Sequence, residues 1–360
     1  MNKLGLAAAL STAALVAACG QASDNKTAEK GASSSGSRSQ VWVAGSSTVA
    51  PFASRVSETL SRKSGAPAAK VESLGTGGGF KAFCGGAGSS FPDIATASRP
   101  IKASEFDTCA ANGVSDIAEI KIGYDGIVLL TAKSGADYDL KRSDLYRGLA
   151  AEVPTGSGFA PNATKAWNEV SPGLPAQRIS VYGPPPTSGT RDAFVELALE
   201  GGAVEIPQMK ALKASNDGEF KRRAGVIRTD GAWIDSGEND NAIIGTLTKT
   251  PGSLGVVGYS FLDNNRDQVK AAKIGGVTPT YEAIADGSYP LSRSLYIYVK
   301  KANITLVPAI KDYVAEFVSD AASGKGGYLQ PRGLIGLPEA EHAAIKTAAQ
   351  ELPSMAKPTK

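Results

Sequence analysis

Histidine is nearly absent from this chain of 360 residues, and net charge is low. The single histidine, His342, makes a histidine-based metal site or a Ser-His-Asp triad hard to build. Lys and Arg number 38 against 35 Asp and Glu, so the formal charge is only +3, which supplies no dense basic field for a nucleic-acid backbone. Neither a G-x-S-x-G nucleophile elbow nor a G-x-x-x-x-G-K-[ST] phosphate loop occurs. We therefore expect no metal, no nucleic-acid partner and no enzyme of these classes, and we interpret His342 as a solvated surface residue.

The first eighteen residues have the composition of a secretory signal. Lys3 precedes an apolar stretch that is too short to span a bilayer in the ordinary way. It ends in Val16-Ala17-Ala18-Cys19, which resembles the lipobox of bacterial lipoproteins, whose cysteine becomes the lipidated first residue of the mature chain. The alternative is a plain cleaved signal with an incidental cysteine. We expect a signal peptide at 1–18, lipidation at Cys19, and a flexible tether rich in Ser, Gly, Ala and Lys at 19–40.

Two more cysteines, Cys84 and Cys109, complete the total of three. A chain with a secretory signal enters an oxidising compartment, where paired cysteines form and persist as disulfides. We predict a Cys84–Cys109 disulfide, with two buried free thiols as the alternative.

A strand, a turn rich in glycine or hydroxyl residues, and then a helix recur three times in the first part of the chain. The strands are predicted at Val41–Ala44, Lys70–Leu74 and Asp93–Ala97. This order is typical of a parallel α/β sheet. Further strands are predicted at Ile117–Thr131, Ile179–Tyr182, Gly255–Tyr259 and Leu295–Val299, and helices at Asp144–Leu149, Ala163–Glu169, Arg191–Leu199, Asn241–Leu247, from Pro308 to Gly324, and Glu339–Glu351.

Three turns at such junctions carry the candidate chemistry: Gly45–Thr48, Gly75–Gly79 and Thr187–Thr190. The first N–H groups of a helix have no partner inside the helix, and the helix dipole adds partial positive charge there. Glycine lets the backbone approach a ligand closely, and Ser or Thr hydroxyls donate without carrying charge. Any one turn alone is more often an ordinary helix cap. Three of the same design favour a shared oxyanion site.

Four segments resemble the periplasmic phosphate-binding protein family of the Pst-type ABC importer. They are GSSTVAPF at 45–52, GTGGGFK at 75–81, ASRPI at 97–101 and SGTRDAF at 188–194. The similarity runs from about Val41 to Gly333 in the family's motif order.

The resemblance implies a two-lobed α/β fold of the type II periplasmic binding class, with two crossover strands as a hinge. The crossovers would lie at 120–130 and 292–299. Lobe 1 would combine 41–125 with 296–360, and lobe 2 would be 126–295. Phosphate would bind between the lobes.

The resemblance also assigns binding positions. Thr48, Thr76 and the turn Ser188-Gly189-Thr190 match the family's binding motifs, and Ser47 is included because it adjoins Thr48 in the first loop.

Two positions depart from the best-known members. Those members carry in the third motif an Asp that accepts a hydrogen bond from protonated phosphate, whereas Ser98-Arg99 stand here. They also place an Arg four residues before the Ser-Gly-Thr turn, where this chain has Pro184. We therefore take Arg99 and Arg191 as candidate cations and Asp125 as the candidate acceptor. Surface or helix-start charge is the alternative for the arginines, and turn capping is the alternative for Asp125.

The resulting hypothesis is a lipid-anchored monomer of the periplasm or cell envelope that binds inorganic phosphate, closes its lobes and delivers the anion to an ABC permease. It needs no cofactor and performs no chemistry on the ligand. The alternatives are the same fold binding sulfate or molybdate, and a secreted phosphatase.

Overall fold

Strands and helices alternate along the chain in the computed structural model, which describes residues 38–156, 158–237 and 239–359. The predicted signal peptide, Cys19 and most of the predicted tether lie outside the described residues. The tether was predicted to reach residue 40, but its last residues belong to the fold. The N–H of Arg38 donates to the Leu306 carbonyl at 3.0 Å, and Nε2 of Gln40 donates to the Ala68 carbonyl at 2.8 Å.

The strands are short except for two. In chain order they are β1 (Trp42–Gly45), β2 (Lys70–Ser73), β3 (Ile94–Ala97), β4 (Ile117–Ala132), β5 (Asp139–Leu140), β6 (Glu152–Pro154), β7 (Phe159–Pro161), β8 (Val181–Gly183), β9 (Trp233–Asp235), β10 (Leu254–Gly258), β11 (Val269–Ala271), β12 (Lys273–Ile274) and β13 (Ser292–Lys300).

The helices cover both halves of the chain. They are α1 (Ala50–Ser64), α2 (Gly75–Phe83), α3 (Ala103–Ala111), α4 (Arg142–Leu149), α5 (Trp167–Val170), α6 (Gly189–Phe194), α7 (Gly201–Ala203), α8 (Pro207–Ser215), α9 (Asp217–Gly225), α10 (Asp240–Leu247), α11 (Tyr259–Asn264), α12 (Tyr281–Ala285), α13 (Ala309–Phe317) and α14 (Glu339–Glu351), with a π-helix at Val195–Glu200 between α6 and α7.

Two groups of parallel strands are joined through β13 and β4. The strand order is β2-β1-β3-β13-β4-β10-β8-β9, and β11 also pairs with β4. Strands β1, β2 and β3 are mutually parallel, as are β8, β9 and β10, whereas β13 and β4 run antiparallel to each other and to the flanking strands. Because parallel strands end at the same edge of a sheet, the turns after β1, β2 and β3 lie together, and so do those after β8, β9 and β10.

The long strand β4 contributes to two hydrophobic cores. Its first half packs Ile120 and Ile122 against β1, β13, α1 and α13. Its second half packs Val128 and Leu130 against β8, β10, α6 and α10. The Tyr124 N–H donates to the carbonyl of Ile335 at 2.8 Å, which brings the segment after Leu334 across the middle of β4.

The segment that crosses β4 belongs to the second core. The resemblance assigns Ile335 and Leu337 to lobe 1, whereas both side chains belong to the same hydrophobic core as Ile284 and Tyr124. The reason is the backbone pairing with Tyr124, which places this segment over the second half of β4.

The glycine run after β2 is helical rather than a turn before a helix, because α2 begins at Gly75 itself. Its second turn packs against β1 at very close range: a Cβ at Gly79 would lie 2.3 Å from Cα of Gly45. A side chain at residue 79 is therefore excluded, and this contact places the start of α2 beside the end of β1.

Several other expectations differ from the structure. The helix predicted at Ala163–Glu169 is reduced to the four residues of α5, because the Trp167 N–H donates to the Gln177 carbonyl and not to a carbonyl of a preceding helical turn.

His342 is not a solvated surface residue. It is 6% exposed, and its Nε2 lies 3.1 Å from Oγ of Ser323. The α14 face that carries it packs against the loop after α13.

The structure joins Cys84 and Cys109 in a disulfide between the end of α2 and α3. Both cysteines are buried among Phe80, Phe83 and neighbouring apolar side chains.

We expect this disulfide to be present in the mature protein and to stabilise it. A cross-link between residues 25 positions apart restricts the unfolded chain and contributes roughly 3 kcal/mol. Replacing Cys84 and Cys109 together by Ala should lower the free energy of unfolding in urea by about that amount. Mass spectrometry of the non-reduced protein should yield one linked peptide pair, and two alkylatable thiols would contradict the prediction.

Candidate functional site

Residues from both groups of parallel strands line one cavity of about 270 Å³. We call it the hydroxyl cavity. Its lining includes Thr48, Asp125, Ser188, Gly189, Thr190, Asp240 and Arg332. Thr48 follows β1, the Ser188 turn follows β8, and Asp240 follows β9. The cavity therefore lies outside the carboxyl ends of the strands, which is where open α/β sheets bind ligands.

The first loop and the Ser188 turn are in direct contact at one side of this cavity. A Cβ at Gly189 would lie 3.1 Å from the carbonyl oxygen of Ser47 and 3.3 Å from Cα of Thr48. Ser188 caps the following helix, since the Thr190 N–H donates to its Oγ at 3.2 Å. The helical run that begins at Gly189 thus starts at the cavity, with its first N–H groups at that end.

A buried cation contacts two residues that line the hydroxyl cavity, although it does not line the cavity itself. Arg293, on β13, donates from Nη2 to Oγ1 of Thr48 at 2.7 Å and from Nε to Oδ2 of Asp125 at 3.3 Å. Its Nη1 forms a short ion pair with Glu196. The guanidinium therefore connects the first loop, the hinge strand β4 and the π-helix.

The two acids of the hydroxyl cavity have different partners. Arg293 faces Asp125, yet burial outweighs that attraction and raises the pKa of the Asp125 carboxyl. Asp240 receives a long hydrogen bond of 3.4 Å from the Gly258 N–H, and burial raises its pKa to about 6. Asp240 thus keeps most of its capacity to accept hydrogen bonds.

Thr76 and Ser98 form a separate buried pair at the same edge of the sheet. Their hydroxyl oxygens lie 3.0 Å apart, and the Ser98 N–H donates to Oγ1 of Thr76 at 3.1 Å. Neither lines the hydroxyl cavity. The parallel pairing of β2, β1 and β3 nevertheless places both residues beside the loop that carries Thr48.

The two arginines predicted as ligand cations, Arg99 and Arg191, form ion pairs outside the hydroxyl cavity. Arg99 donates from both Nη atoms to the Glu105 carboxylate at 2.8 and 2.7 Å. Arg191 donates to Asp235 at 3.0 Å and stacks over the Trp233 ring at 4.3 Å. The structure does not bring either guanidinium into the lining of the hydroxyl cavity.

A second cavity of about 520 Å³ lies on the other side of the contact between Ser47 and Gly189. We call it the acidic cavity, because its lining includes Ser47, Gly75, Arg191, Asp192, Glu196 and Glu200. Burial and the neighbouring Glu196 raise the pKa of Glu200 to about 7. Three acids against one arginine make this cavity unfavourable for an anion.

A family model described as a PBP superfamily domain matches residues 30–321. The chain belongs to the PBP superfamily. The α/β fold of the periplasmic binding class, predicted from the sequence, is confirmed.

Relatives within this superfamily match most of the chain. The Staphylococcus saprophyticus protein named phosphate-binding protein PstS is 26% identical over 349 residues, covering 96% of this chain and 92% of its own length. Protein SphX of Synechococcus elongatus is 28% identical over 316 residues, with 86% and 81% covered.

Solved structures of the PBP superfamily share the fold. A possible phosphate binding protein from Planctomyces limnophilus is 26% identical, with a TM-score of 0.69 over 87% of this chain and 98% of that one. An ABC-type phosphate transport receptor from Vibrio cholerae is 20% identical, with a TM-score of 0.56 over 83% and 100%. In the described part of this PBP superfamily chain, no helix has the length and hydropathy of a membrane span.

Sequence reasoning missed Arg293 and Asp240. Arg293 lies in a segment that the resemblance predicts as a crossover strand, and a charged residue in a strand expected to pass beside the ligand was the available signal. Asp240 gave no comparable signal, because an Asp at a helix start is ordinarily a solvent-exposed charge.

The raised pKa of Asp240 predicts that replacing this residue stabilises the folded protein at neutral pH but not at low pH. The folded protein holds the Asp240 proton more tightly than the unfolded chain, so this group's contribution to stability is present below pH 4 and is lost as the pH rises from 3.8 to about 6. Asp240→Asn should therefore raise the free energy of unfolding by roughly 3 kcal/mol at pH 7.5 and change it little at pH 4. Urea unfolding at both pH values measures this, and an equal effect at the two would contradict it.

Proposed function

We propose that this chain binds inorganic phosphate and delivers it to an ABC permease, with no chemistry on the ligand. Two considerations support the proposal: relatives covering most of the chain are named phosphate-binding proteins, and the hydroxyl cavity offers donors suited to an oxyanion. A different oxyanion such as sulfate or molybdate is the alternative ligand.

The observation that carries the proposal is the position of Arg293. A guanidinium only 10% exposed donates to Thr48, whose side chain lines the hydroxyl cavity opposite the Ser188 turn. We place phosphate against the Thr48 hydroxyl, the Gly189 N–H and the Thr190 side chain, with Arg293 behind Thr48. Thr76 and Ser98 are proposed as further donors at the same sheet edge, whereas Ser47, which was also predicted, lines the acidic cavity and is left out of the proposed site.

Hydrogen bonds to a charged ligand contribute about 1.5–3 kcal/mol each. A few such bonds, less the free energy spent on ordering and closure, are sufficient for the roughly 8 kcal/mol of a micromolar site. The proposed site therefore needs no metal and no further cofactor.

We propose that the two cores are two lobes and that β4 and β13 form the hinge between them. Lobe 1 comprises 41–125 and 296–360, apart from the crossing segment around Ile335, and lobe 2 comprises 126–295. Phosphate bound between the Thr48 loop and the Ser188 turn would hold the lobes together. We further propose that the protein works as a monomer in the periplasm or cell envelope, anchored by a lipid on Cys19.

Phosphate should stabilise the protein and sulfate should not. A ligand present at a thousand times its dissociation constant stabilises the folded state by about 4 kcal/mol. Millimolar phosphate should therefore raise the melting temperature clearly, and calorimetric titration should give a dissociation constant in the micromolar range or below. Equal shifts with sulfate would favour the alternative ligand, and turnover of a phosphate ester by the same preparation would indicate a phosphatase.

The acids of the hydroxyl cavity should determine the preference for phosphate over sulfate. Phosphate keeps a proton that it can donate to a carboxylate, whereas sulfate at neutral pH has none, so a buried carboxylate facing sulfate stays unpaired and meets like charge. Asp125→Asn and Asp240→Asn should each lower the ratio of phosphate to sulfate affinity. Asp240→Asn should lower it more, because Asp125 already accepts a hydrogen bond from Arg293.

Both variants should be titrated with both anions at fixed salt. Asp263→Asn, an exposed acid on α11 that pairs with Arg266, is the matched control and should leave the ratio unchanged. If neither Asp125→Asn nor Asp240→Asn changes the ratio of phosphate to sulfate affinity, neither carboxylate is the acceptor for the phosphate proton.

A further inference from the structure

Arg293 is held by acceptors from three different parts of the chain. Thr48 comes from the loop after β1, Asp125 lies opposite Arg293 in the pairing of β4 with β13, and Glu196 comes from the π-helix after α6. Thr48 and Asp125 line the hydroxyl cavity, whereas Glu196 lines the acidic cavity. The guanidinium lines neither cavity itself, but it connects Thr48 and Asp125 in the lining of one cavity to Glu196 in the lining of the other.

The two carboxylates differ in their access to water. The Asp125 side chain is 12% exposed and that of Glu196 is 49% exposed. Removing a buried carboxylate from its cation leaves a charge without solvent, which is costly, whereas a half-exposed carboxylate regains water when it leaves. Of the two carboxylates, Glu196 is therefore the one that can leave Arg293 and return to it at low cost in free energy.

The local charge favours such an exchange when an anion binds. Arg293, Asp125 and Glu196 together carry a net charge of one negative unit, so an added anion would meet like charge. If Glu196 turns away into the acidic cavity, Arg293 and Asp125 balance each other and the guanidinium regains a free N–H donor. The same carboxylate can return to Arg293 when the anion leaves.

We propose that the Glu196 carboxylate competes with the bound anion for Arg293 and thereby lowers the affinity and speeds release. This inference rests on the proposed function only in taking an oxyanion as the ligand of the hydroxyl cavity. It assigns to Glu196 a role in setting affinity without contact with the anion.

The test compares three variants by calorimetry and stopped-flow dissociation, with phosphate and sulfate as separate probes. Glu196→Gln removes the competing charge. Glu196→Asp keeps the charge but shortens the side chain by one methylene, so that the carboxylate no longer reaches Arg293. Glu200→Gln, four residues further along the same wall, is the matched control, because no contact joins Glu200 to Arg293 among the described residues.

We expect Glu196→Gln and Glu196→Asp each to bind the anion about two- to fivefold more tightly, mainly through slower dissociation, as suits a partly exposed ion pair. Glu200→Gln should stay close to the wild type. Tighter binding in Glu196→Gln without tighter binding in Glu196→Asp would overturn the inference, because it would indicate a general effect of charge. Unchanged or weaker binding in Glu196→Gln would also overturn it.

The two proposals fail separately in this experiment. If the wild type binds sulfate and not phosphate, the proposed function fails, and the Glu196 variants still decide the exchange with sulfate as the probe. If the wild type binds neither anion, both proposals are overturned.

Discussion

The pairing of β13 with β4 is the constraint on which the rest of the site depends. It places Arg293 opposite Asp125 at the point of β4 where one hydrophobic core ends and the other begins. A guanidinium at that point reaches the loop after β1 on one side and the π-helix on the other. One strand register therefore places this guanidinium between the loop that follows β1 and the helical run that follows β8.

The turns that carry uncharged hydrogen-bond donors could be predicted from the sequence, because they are formed by residues close together in the chain. A strand, a glycine or hydroxyl turn and a helix are visible within about fifteen residues, and the parallel arrangement follows from their repetition. Thr48 and the Ser188 turn do meet at one cavity. The glycine run at Gly75 shows the limit of this reasoning, because its residues form the first turn of helix α2 where a non-helical turn was expected.

The charged part of the site could not be predicted in the same way, because it depends on contacts between distant segments. Arg293 and Asp125 are 168 positions apart and become partners only through strand register. Arg99 and Arg191 were taken as candidate cations because they lie in or beside the motifs, but nearby acids hold their guanidinium groups. The burial of His342 likewise follows from the packing of α14 on the loop that contains Ser323.

The balance of charges around Arg293 has a consequence for selectivity. Arg293 faces Asp125 and Glu196, and the hydroxyl cavity is lined by Asp240 and Arg332 as well, so these five groups carry no net positive charge that would attract anions. Under the proposed function, an anion would be held by directed hydrogen bonds from Thr48, the Gly189 N–H and the Thr190 side chain, with Arg293 behind Thr48. Directed bonds distinguish ligands by which of their oxygens carry protons, whereas net charge would attract every dianion alike. The acids around Arg293 thus reduce attraction in general and leave the pattern of donors and acceptors to decide which anion binds.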